Sequence, residues 1–536
     1  MTSLTGTGTL IRLILRRDRV LMPIWMLCMA LLPMGLASGT ASLYPTDAGR
    51  QGYIDSLAAS PIMLLFYGQK PAEPSLGALI FWRAATGIVI MGLIGLLVVI
   101  RHTRVEEEAG RRELLGSAVV GRHAALAAAV LTVSGASLVV GVLVALGMIS
   151  QQTPAPGAFA MGLAWAFAGI LYAAIGALAA QLTTGAGAAR GIAGALLGLD
   201  FILRGTGDVA AGGLSWLAWA TPLSWVYKVH AYTDDRWWLF ALTAAVALVL
   251  VLAALRLSAR RDVGAGLLPP RLGPAAAPAS LRSPFGLAWR LHRGSLTGWT
   301  IGLGVVGGVL FGGVAKTASS LLEGNGQLTE IMERIGGKSV ASDIFIGGSM
   351  GIAAIAVAAY GISAALRMRT EEAALRSEPV LSAGVGRLRW AAGHLAFALL
   401  GPTVVMAVTG LVAGLMYGAS TGDVGREVPR VIGAALVQMP AVWLLTGLTV
   451  AAYGLLPRLS PAVGWVALSV CVLLGQIGAA LQLDQIVLDV SPFTHIPHLP
   501  GPADVPVTPL LVLTVLAAGL TAAGLAALRR RDIPVT

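Results

Sequence analysis

Charge is scarce in this chain: 12% of its 536 residues are Asp, Glu, Lys or Arg, against 56% hydrophobic residues. With a mean hydropathy of +0.79, that scarcity excludes an ordinary soluble domain. Cysteine is nearly missing. Cys28 and Cys471 stand alone, both inside apolar runs, which excludes a disulfide framework and a thiolate metal site. The ten-residue alternation of a transmembrane barrel is missing as well. Ionisable groups inside the apolar runs are few, and no acid recurs there at matched positions of the chain, which weighs against proton coupling.

What is present is a series of helix-length apolar runs. About 20 such residues cross a hydrocarbon core of about 30 Å, and only helices or closed barrels leave no backbone group unpaired there. Spans are expected near 20–38, 78–100, 123–149, 157–182, 190–206, 237–257, 296–315, 345–366, 390–417, 430–456, 461–482 and 508–528. The fold class is therefore an all-α polytopic membrane protein of about twelve transmembrane helices. Two further apolar stretches, 213–226 and 486–499, are too short to cross and contain Pro222 and Pro492; they read as re-entrant hairpins before the last helix of each half. The first span follows a basic segment, Arg12 to Arg19, without a small-residue cleavage site, and is expected to stay as an anchor.

Positive charge sets orientation, because Lys and Arg are retained on the cytoplasmic side. Most arginines fall on the side of the two termini, whereas Lys70, Lys228, Lys316 and Lys338 fall on the other, so both termini are expected to be cytoplasmic. The net charge of +11 is then accounted for by the bilayer, and nucleic acid is not an expected partner. The excess of Arg, Ala and Gly points to a GC-rich bacterial genome, hence a bacterial plasma membrane.

The chain repeats itself. After span 2 stand Arg104, Glu106, Glu107, Arg111, Glu113, Ser117, Ala118, Gly121 and Arg122, matched at an offset of 265 by Arg369, Glu371, Glu372, Arg376, Glu378, Ser382, Ala383, Gly386 and Arg387. At an offset of 270, Pro222 pairs with Pro492, Leu255 with Leu525, and Arg261-Asp262-Val263 with Arg531-Asp532-Ile533. At 274, Arg16, Arg19 and Trp25 pair with Arg290, Arg293 and Trp299. Two six-helix halves result, 1–261 and 284–536, joined by a cytoplasmic linker at 262–283 containing Pro269, Pro270, Pro274 and Pro278. Even span counts make the halves parallel, related by a pseudo-two-fold axis along the membrane normal.

The repeated loop is the leading functional candidate. Its i,i+4 pairs, Arg104 with Glu108 and Glu107 with Arg111, predict a short exposed helix. Topology alone would need positive charge, not two acids at fixed places, so the duplication argues for a repeated docking partner. The segments Leu10–Arg19 and Leu287–Arg293 read as amphipathic helices lying in the interface. Within the spans, Arg83 could snorkel outward, and Asp200 with Arg204 forms an i,i+4 pair. Trp216, Trp219, Trp225, Tyr227 and Tyr232 read as aromatic-belt residues. His495 and His498, set among prolines, lack the geometry and further ligands of a metal site. Gly337-Lys338-Ser339 imitates the end of a phosphate-binding loop, but Met332 stands where the first glycine belongs. No catalytic residue and no cofactor of its own is expected.

The Arg-x-Glu-Glu-x-x-x-Arg-x-Glu loop at 104–113, its degenerate copy at 369–378, the Arg-rich leading helices and the six-span unit with an apolar hairpin resemble an ABC-2 type permease across essentially the whole chain. More narrowly, the fused double-length form resembles actinobacterial polyketide-antibiotic exporter permeases of the tetronasin-resistance type. The resemblance implies a type V exporter-like fold in which 104–117 and 369–382 are coupling helices, each seated on one of two cytoplasmic ABC ATPase subunits that bind ATP and Mg. It implies that Arg16, Arg19, Arg290 and Arg293 lie on connecting helices, and that a hydrophobic or amphipathic small molecule (an antibiotic, drug or lipid-like compound) is moved out of the cell. The second copy departs from the first, with Ala373 for Glu108 and Pro379 for Leu114, which implies two non-equivalent contacts. The competing expectation is a proton-coupled secondary transporter of the major-facilitator type, which also has twelve spans in two parallel halves.

Overall fold

Backbone groups in hydrocarbon must pair within their own segment, so apolar runs of this length form helices. The computed structural model describes residues 3–58, 61–116, 119–209, 214–268, 275–313, 315, 339–477, 484–497, 499–500 and 507–532. Among them there are helices and turns and no strand. Eleven helices are long and apolar enough to cross a membrane, so the chain is an all-α polytopic membrane protein. The run expected at 461–482 is a helix over Ser460–Ile477. Ser117, Ala118, Lys316, Met332, Gly337, Lys338, His498, Ile533 and the linker residues Pro269, Pro270 and Pro274 lie outside the described residues.

The chain divides into two compact units, Met1–Leu272 and Gly273–Thr536. In the first, α1 (Thr7–Arg17) is a separate amphipathic helix that buries Leu10 and Ile14. A break at Asp18 leads into α2 (Leu21–Leu43). Next come α3 (Asp47–Ala58), α4 (Pro61–Tyr67) and α5 (Leu76–Arg83). The Ser75 hydroxyl caps α5, accepting from Ala78 N at 3.2 Å. Ala84 separates α5 from α6 (Ala85–His102), so the expected span 78–100 is broken near one end. It then continues through α7 (Arg104–Glu108) and turns into α8 (Arg111–Gly116). Three long helices follow: α9 (Ala124–Ser150), α10 (Ala155–Leu182) and α11 (Ala186–Val209). Two short ones, α12 (Leu217–Ala220) and α13 (Pro222–Tyr227), lead to α14 (Trp238–Ser258).

Small residues let the backbones of this unit touch. A Cβ on Gly162 would lie 2.1 Å from the Gly141 carbonyl oxygen, and one on Gly95 would lie 2.3 Å from that of Gly169. Only glycine permits α10 to pack this tightly on α9 and α6, the packing mode of helices that have no hydrophobic driving force between them. The polypeptide after α14 does not leave at once. Leu267 N and Leu268 N donate to the carbonyls of Gln181 and Leu182 at 3.2 and 2.8 Å, so the beginning of the 262–283 segment is folded against the end of α10.

In the second unit the leading amphipathic segment is not a separate helix. α15 (Pro284–Trp299) runs on through a π-helical stretch, Thr300–Gly307, into one apolar helix over Pro284–Gly313. The interfacial helix expected at Leu287–Arg293 is thus part of a longer helix, and the two units differ in residue at the matched position. Asp18, whose carboxylate takes Arg101 at 2.8 Å and His102 at 2.7 Å, sits at the break in the first unit. The position matched to it by the offset of the leading segments is His292. His292 is buried mid-helix and shares a 2.9 Å hydrogen bond with His394. The unit continues with α16 (Ser339–Ala365), α17 (Arg367–Ala373), α18 (Glu378–Ser382), α19 (Arg387–Thr421), α20 (Val424–Leu436), α21 (Met439–Leu455), α22 (Ser460–Ile477), α23 (Gln485–Leu488) and α24 (Val507–Arg530). Gly422, at φ +82°, ends α19, and Asp423 caps the next helix by accepting from Arg426 N at 3.1 Å. Gly454 and Gly524 meet backbone to backbone where α21 packs on α24.

Candidate functional site

Each unit folds its copy of the charged loop into a clamp. In the first, Gly110 at φ +68° turns the chain between α7 and α8, a conformation that costs a side-chain-bearing residue about 1–2 kcal/mol. Of the three acids of α7, the first two point in different directions. Glu106 accepts from Arg111 at 2.7 and 3.0 Å, the paired geometry of a guanidinium fork, and also pairs with Arg17 of α1. Glu107 turns inward, where Arg261 beyond α14 reaches both its oxygens at 2.9 Å, and Arg104 and Arg112 complete its shell. Burial pushes the Arg112 guanidinium down to about 10, with repulsion from Arg261 and Arg104 adding to it; at neutral pH it stays charged. The Glu106 bonds push Arg111 the other way, up.

Arg104 is wholly buried. Its Nε donates to the Thr184 carbonyl at 2.9 Å, and its terminal nitrogens donate to those of Ala265 and Gly264 at 3.0 Å. One side chain thus ties the end of span 2 to the turn after α10 and to the chain leaving α14. Glu108 accepts from Ala186 N at 2.7 Å, at the first turn of α11, where a carboxylate meets the positive end of the helix.

The second unit repeats the scheme. Arg376 reaches Glu371 at 2.9 and 3.1 Å, Arg531 reaches Glu372 at 2.7 Å, and Arg369 Nε donates to the Pro457 carbonyl at 2.7 Å. Arg531 is the matched counterpart of Arg261 at the end of the second half, and the two do the same work. The differences are local: Arg367 takes the place of Arg17 on the first acid, at 2.9 Å, and the Tyr453 hydroxyl donates to Glu372 at 2.5 Å.

This geometry corrects the single exposed helix expected for the loop. The i,i+4 pairs Arg104–Glu108 and Glu107–Arg111 do not form: the chain turns at Ala109–Gly110 between Glu107 and Arg111, while Arg104 is taken up by Glu107 and three backbone carbonyls and Glu108 by Ala186 N. Glu107, Glu371 and Glu372 are buried and already paired. What is exposed is the short second piece: Arg111 and Glu113 on α8, and Arg376 and Glu378 at α18. Arg17, Arg112, Arg261, Arg531 and Tyr453 belong to the clamp although no loop motif contains them. For Arg261 and Arg531 a signal existed in the matched ends of the two halves.

The remaining candidates lie elsewhere. Arg16, Arg19, Arg290 and Arg293 are exposed on α1, the turn after it and α15. Arg83 does not reach outward freely; it donates to the Thr40 hydroxyl at 3.0 Å and lies over the Tyr53 ring. Asp200 and Arg204 are not a pair. Asp200 accepts from the Tyr172 hydroxyl and, at 3.2 Å, from Leu223 N, while Arg204 reaches along the helix to Asp208 at 2.9 Å. Pro222 opens α13, which buries Leu223, Val226 and Tyr227. Its counterpart is less developed: Pro492 opens a single 3-10 turn over Pro492–His495, and Ile486 before it is 82% exposed. His495 bonds the Asp489 carbonyl at 2.9 Å. No cluster of three metal-ligating side chains occurs among the described residues.

Two comparisons bear on identity. Residues 281–529 match the family profile described as multidrug efflux system permease Rv1217c, C-terminal domain. The chain is also 41% identical over 530 residues to the multidrug efflux system permease protein Rv1217c of Mycobacterium tuberculosis, covering 99% of this chain and 95% of the relative. With that identity along almost its whole length, the chain belongs to the family of multidrug efflux system permeases.

Proposed function

We propose that this chain is the membrane-spanning permease of an ATP-driven exporter of the ABC-2, tetronasin-resistance kind, moving hydrophobic or amphipathic small molecules out of a bacterial cell across the plasma membrane. ATP and Mg are bound by two separate ATPase subunits on the cytoplasmic side, where both termini also lie. The carrying observation is the duplicated clamp: in each unit a short helix that begins with exposed charged residues, Arg111 and Glu113 in one and Glu378 in the other, follows a buried salt-bridged base at the end of a long apolar helix. The role of Arg104, Glu107, Arg369 and Glu372 as clamp residues under the docking helices belongs to the same proposal.

The test is ATP hydrolysis by a co-expressed soluble ATPase subunit with and without this chain. Stimulation that falls at least fivefold in Glu113→Arg and Glu378→Arg, with the chain's melting temperature unchanged, supports two-point docking. Cargo export driven by a proton gradient with no partner present would instead establish secondary transport.

A further inference from the structure

Beside the first clamp lies a cavity of about 290 Å³, where α9 begins and α14 ends, with Leu10 of α1 on its wall. The charged residues lining it are Arg112, Arg122, Arg261 and Asp262; apart from Ser258, the rest are small or apolar. Contacts between distant parts of the chain hold the walls in place. Residues 3–5 lie along the loop before α9, with the Thr5 and Ser3 carbonyls accepting from Gly121 N at 2.8 Å and His123 N at 3.0 Å. A Cβ on Gly121 would come 2.3 Å from the Ser3 carbonyl oxygen, so the approach requires glycine. His123 Nδ1 and the Ser258 hydroxyl share a 3.2 Å hydrogen bond that joins this loop to the end of α14.

The three arginines of the wall are engaged to different degrees. Arg261 is taken up by the clamp: its nitrogens go to Gln181, to Glu107 and to the carbonyls of Asp262 and Ala265. Arg112 gives one nitrogen to Glu107. Arg122 forms no hydrogen bond or ion pair among the described residues, and the exposed Asp262 pairs with none of the three there. Positive charge is therefore in excess. The wall and the groups paired with it hold four guanidinium groups, Arg104 included, against the carboxylates of Glu107 and Asp262. Burial, and after it repulsion from Arg261 and Arg104, pulls Arg112 down to about 10.

The clamp does not require this excess. In the second unit Ser377 stands at the position matched to Arg112, and Arg387, matched to Arg122, donates to the carbonyls of Arg531 at 2.6 Å and Arg529 at 3.4 Å. That arginine is laid on the end of the last helix, and the clamp closes on Arg531 all the same. In the first unit the matched side chain is left free beside a cavity. The cavity stands at the ends of two spans and next to an amphipathic helix whose Leu13 and Leu15 are half-exposed, the level at which a bilayer carries its phosphates.

We propose that this cavity binds a phosphate group, carried by an anionic phospholipid head or free in solution, with Arg112 and Arg122 donating to its oxygens and Arg261 adding positive field. The planar fork of an arginine meets two phosphate oxygens at once. At roughly 10–15 Å³ for each water, the space takes a phosphate together with the polar group it esterifies. A cation is refused by the excess of like charge. The site needs no ATPase partner, so it stands or falls apart from the exporter reading.

The experiment measures equilibrium binding of labelled dioleoylphosphatidylglycerol to the full chain in dodecylmaltoside micelles. Dioleoylglycerol serves as a probe of equal tails without phosphate, and inorganic phosphate as competitor. Saturable lipid binding is expected, weakened by added salt and at least tenfold weaker in Arg122→Gln. It is retained in Arg122→Lys and in Arg389→Gln, which changes an exposed arginine of the second unit, and is absent for dioleoylglycerol. Arg122 bonds nothing among the described residues, so Arg122→Gln is expected to keep the melting temperature of the parent. Displacement of the lipid by inorganic phosphate supports the site and assigns it to phosphate alone; lipid binding that phosphate does not displace supports it and assigns the lipid head. Lipid binding unchanged in Arg122→Gln, equal binding of dioleoylglycerol, or no saturable binding of either phosphate source overturns the proposal. If phosphate binding is absent and partner-stimulated hydrolysis falls in Arg122→Gln, the cavity belongs to the ATPase interface instead.

Discussion

Glu107 shows how a residue's setting reverses its reading. In the sequence it is one acid of a charged loop, and charged loops face water. In the fold it is 7% exposed and held by three guanidinium groups. Breaking a buried pair by removing one partner typically costs about 3–5 kcal/mol, because the other charges stay behind uncompensated. Glu107→Gln is therefore expected to lower the melting temperature of the detergent-purified chain sharply or to abolish folded yield. Glu113→Gln, at an exposed position a turn away, should stay within about 0.5 kcal/mol of the parent. Equal melting temperatures for the two would contradict the clamp. Glu372→Gln should fall between them, since Arg531 on its other side is partly open to solvent and the Tyr453 hydroxyl can still bond an amide oxygen.

At the scale of elements, two glycines do different work. Gly110 allows the turn that separates buried Arg104 and Glu107 of α7 from exposed Arg111 and Glu113 of α8. Gly110→Ala is expected to cost about 1–2 kcal/mol and to depress partner-stimulated ATP hydrolysis more than it depresses helix content by circular dichroism. Gly162 allows contact between helices. Gly162→Val places atoms against the Gly141 carbonyl, where even a Cβ would come within 2.1 Å, and α9 and α10 must separate; size-exclusion chromatography should show loss of the monodisperse species. A normal profile would mean that the helices are less closely packed than described. The apolar helices themselves were legible as runs, because hydrocarbon imposes helix on any such segment. The turn inside 104–116 was not, since charge spacing of i,i+4 looks the same whether or not a glycine interrupts it. Nor was the partner of Arg204: Asp200 and Asp208 are both four positions away, and α10 and α13, which occupy Asp200 through the Tyr172 hydroxyl and Leu223 N, decide between them.

For the whole molecule, duplication is the organising fact, and its imperfections are informative. Both units close a clamp with an arginine at the end of the last span, but α8 begins with Arg111 and Arg112 where α18 begins with Glu378 and Pro379. Glu113→Arg and Glu378→Arg are accordingly expected to reduce partner-stimulated hydrolysis by unequal factors, measured on singly substituted chains; identical losses would mean that the partners see the copies as the same. The leading helices differ at a matched position: Asp18 stands at the break of one, and His292 inside the continuous helix of the other. By itself the sequence determined membrane residence, the number and approximate limits of the apolar helices, and the twofold repetition, because each follows from composition or from matching along the chain. Only the tertiary structure decided which acids of the repeated loop are buried and which arginines from far along the chain meet them. Those outcomes depend on side chains brought together by helix packing, and packing among Ala, Gly, Leu and Val leaves no pattern in the order of residues from which to read it.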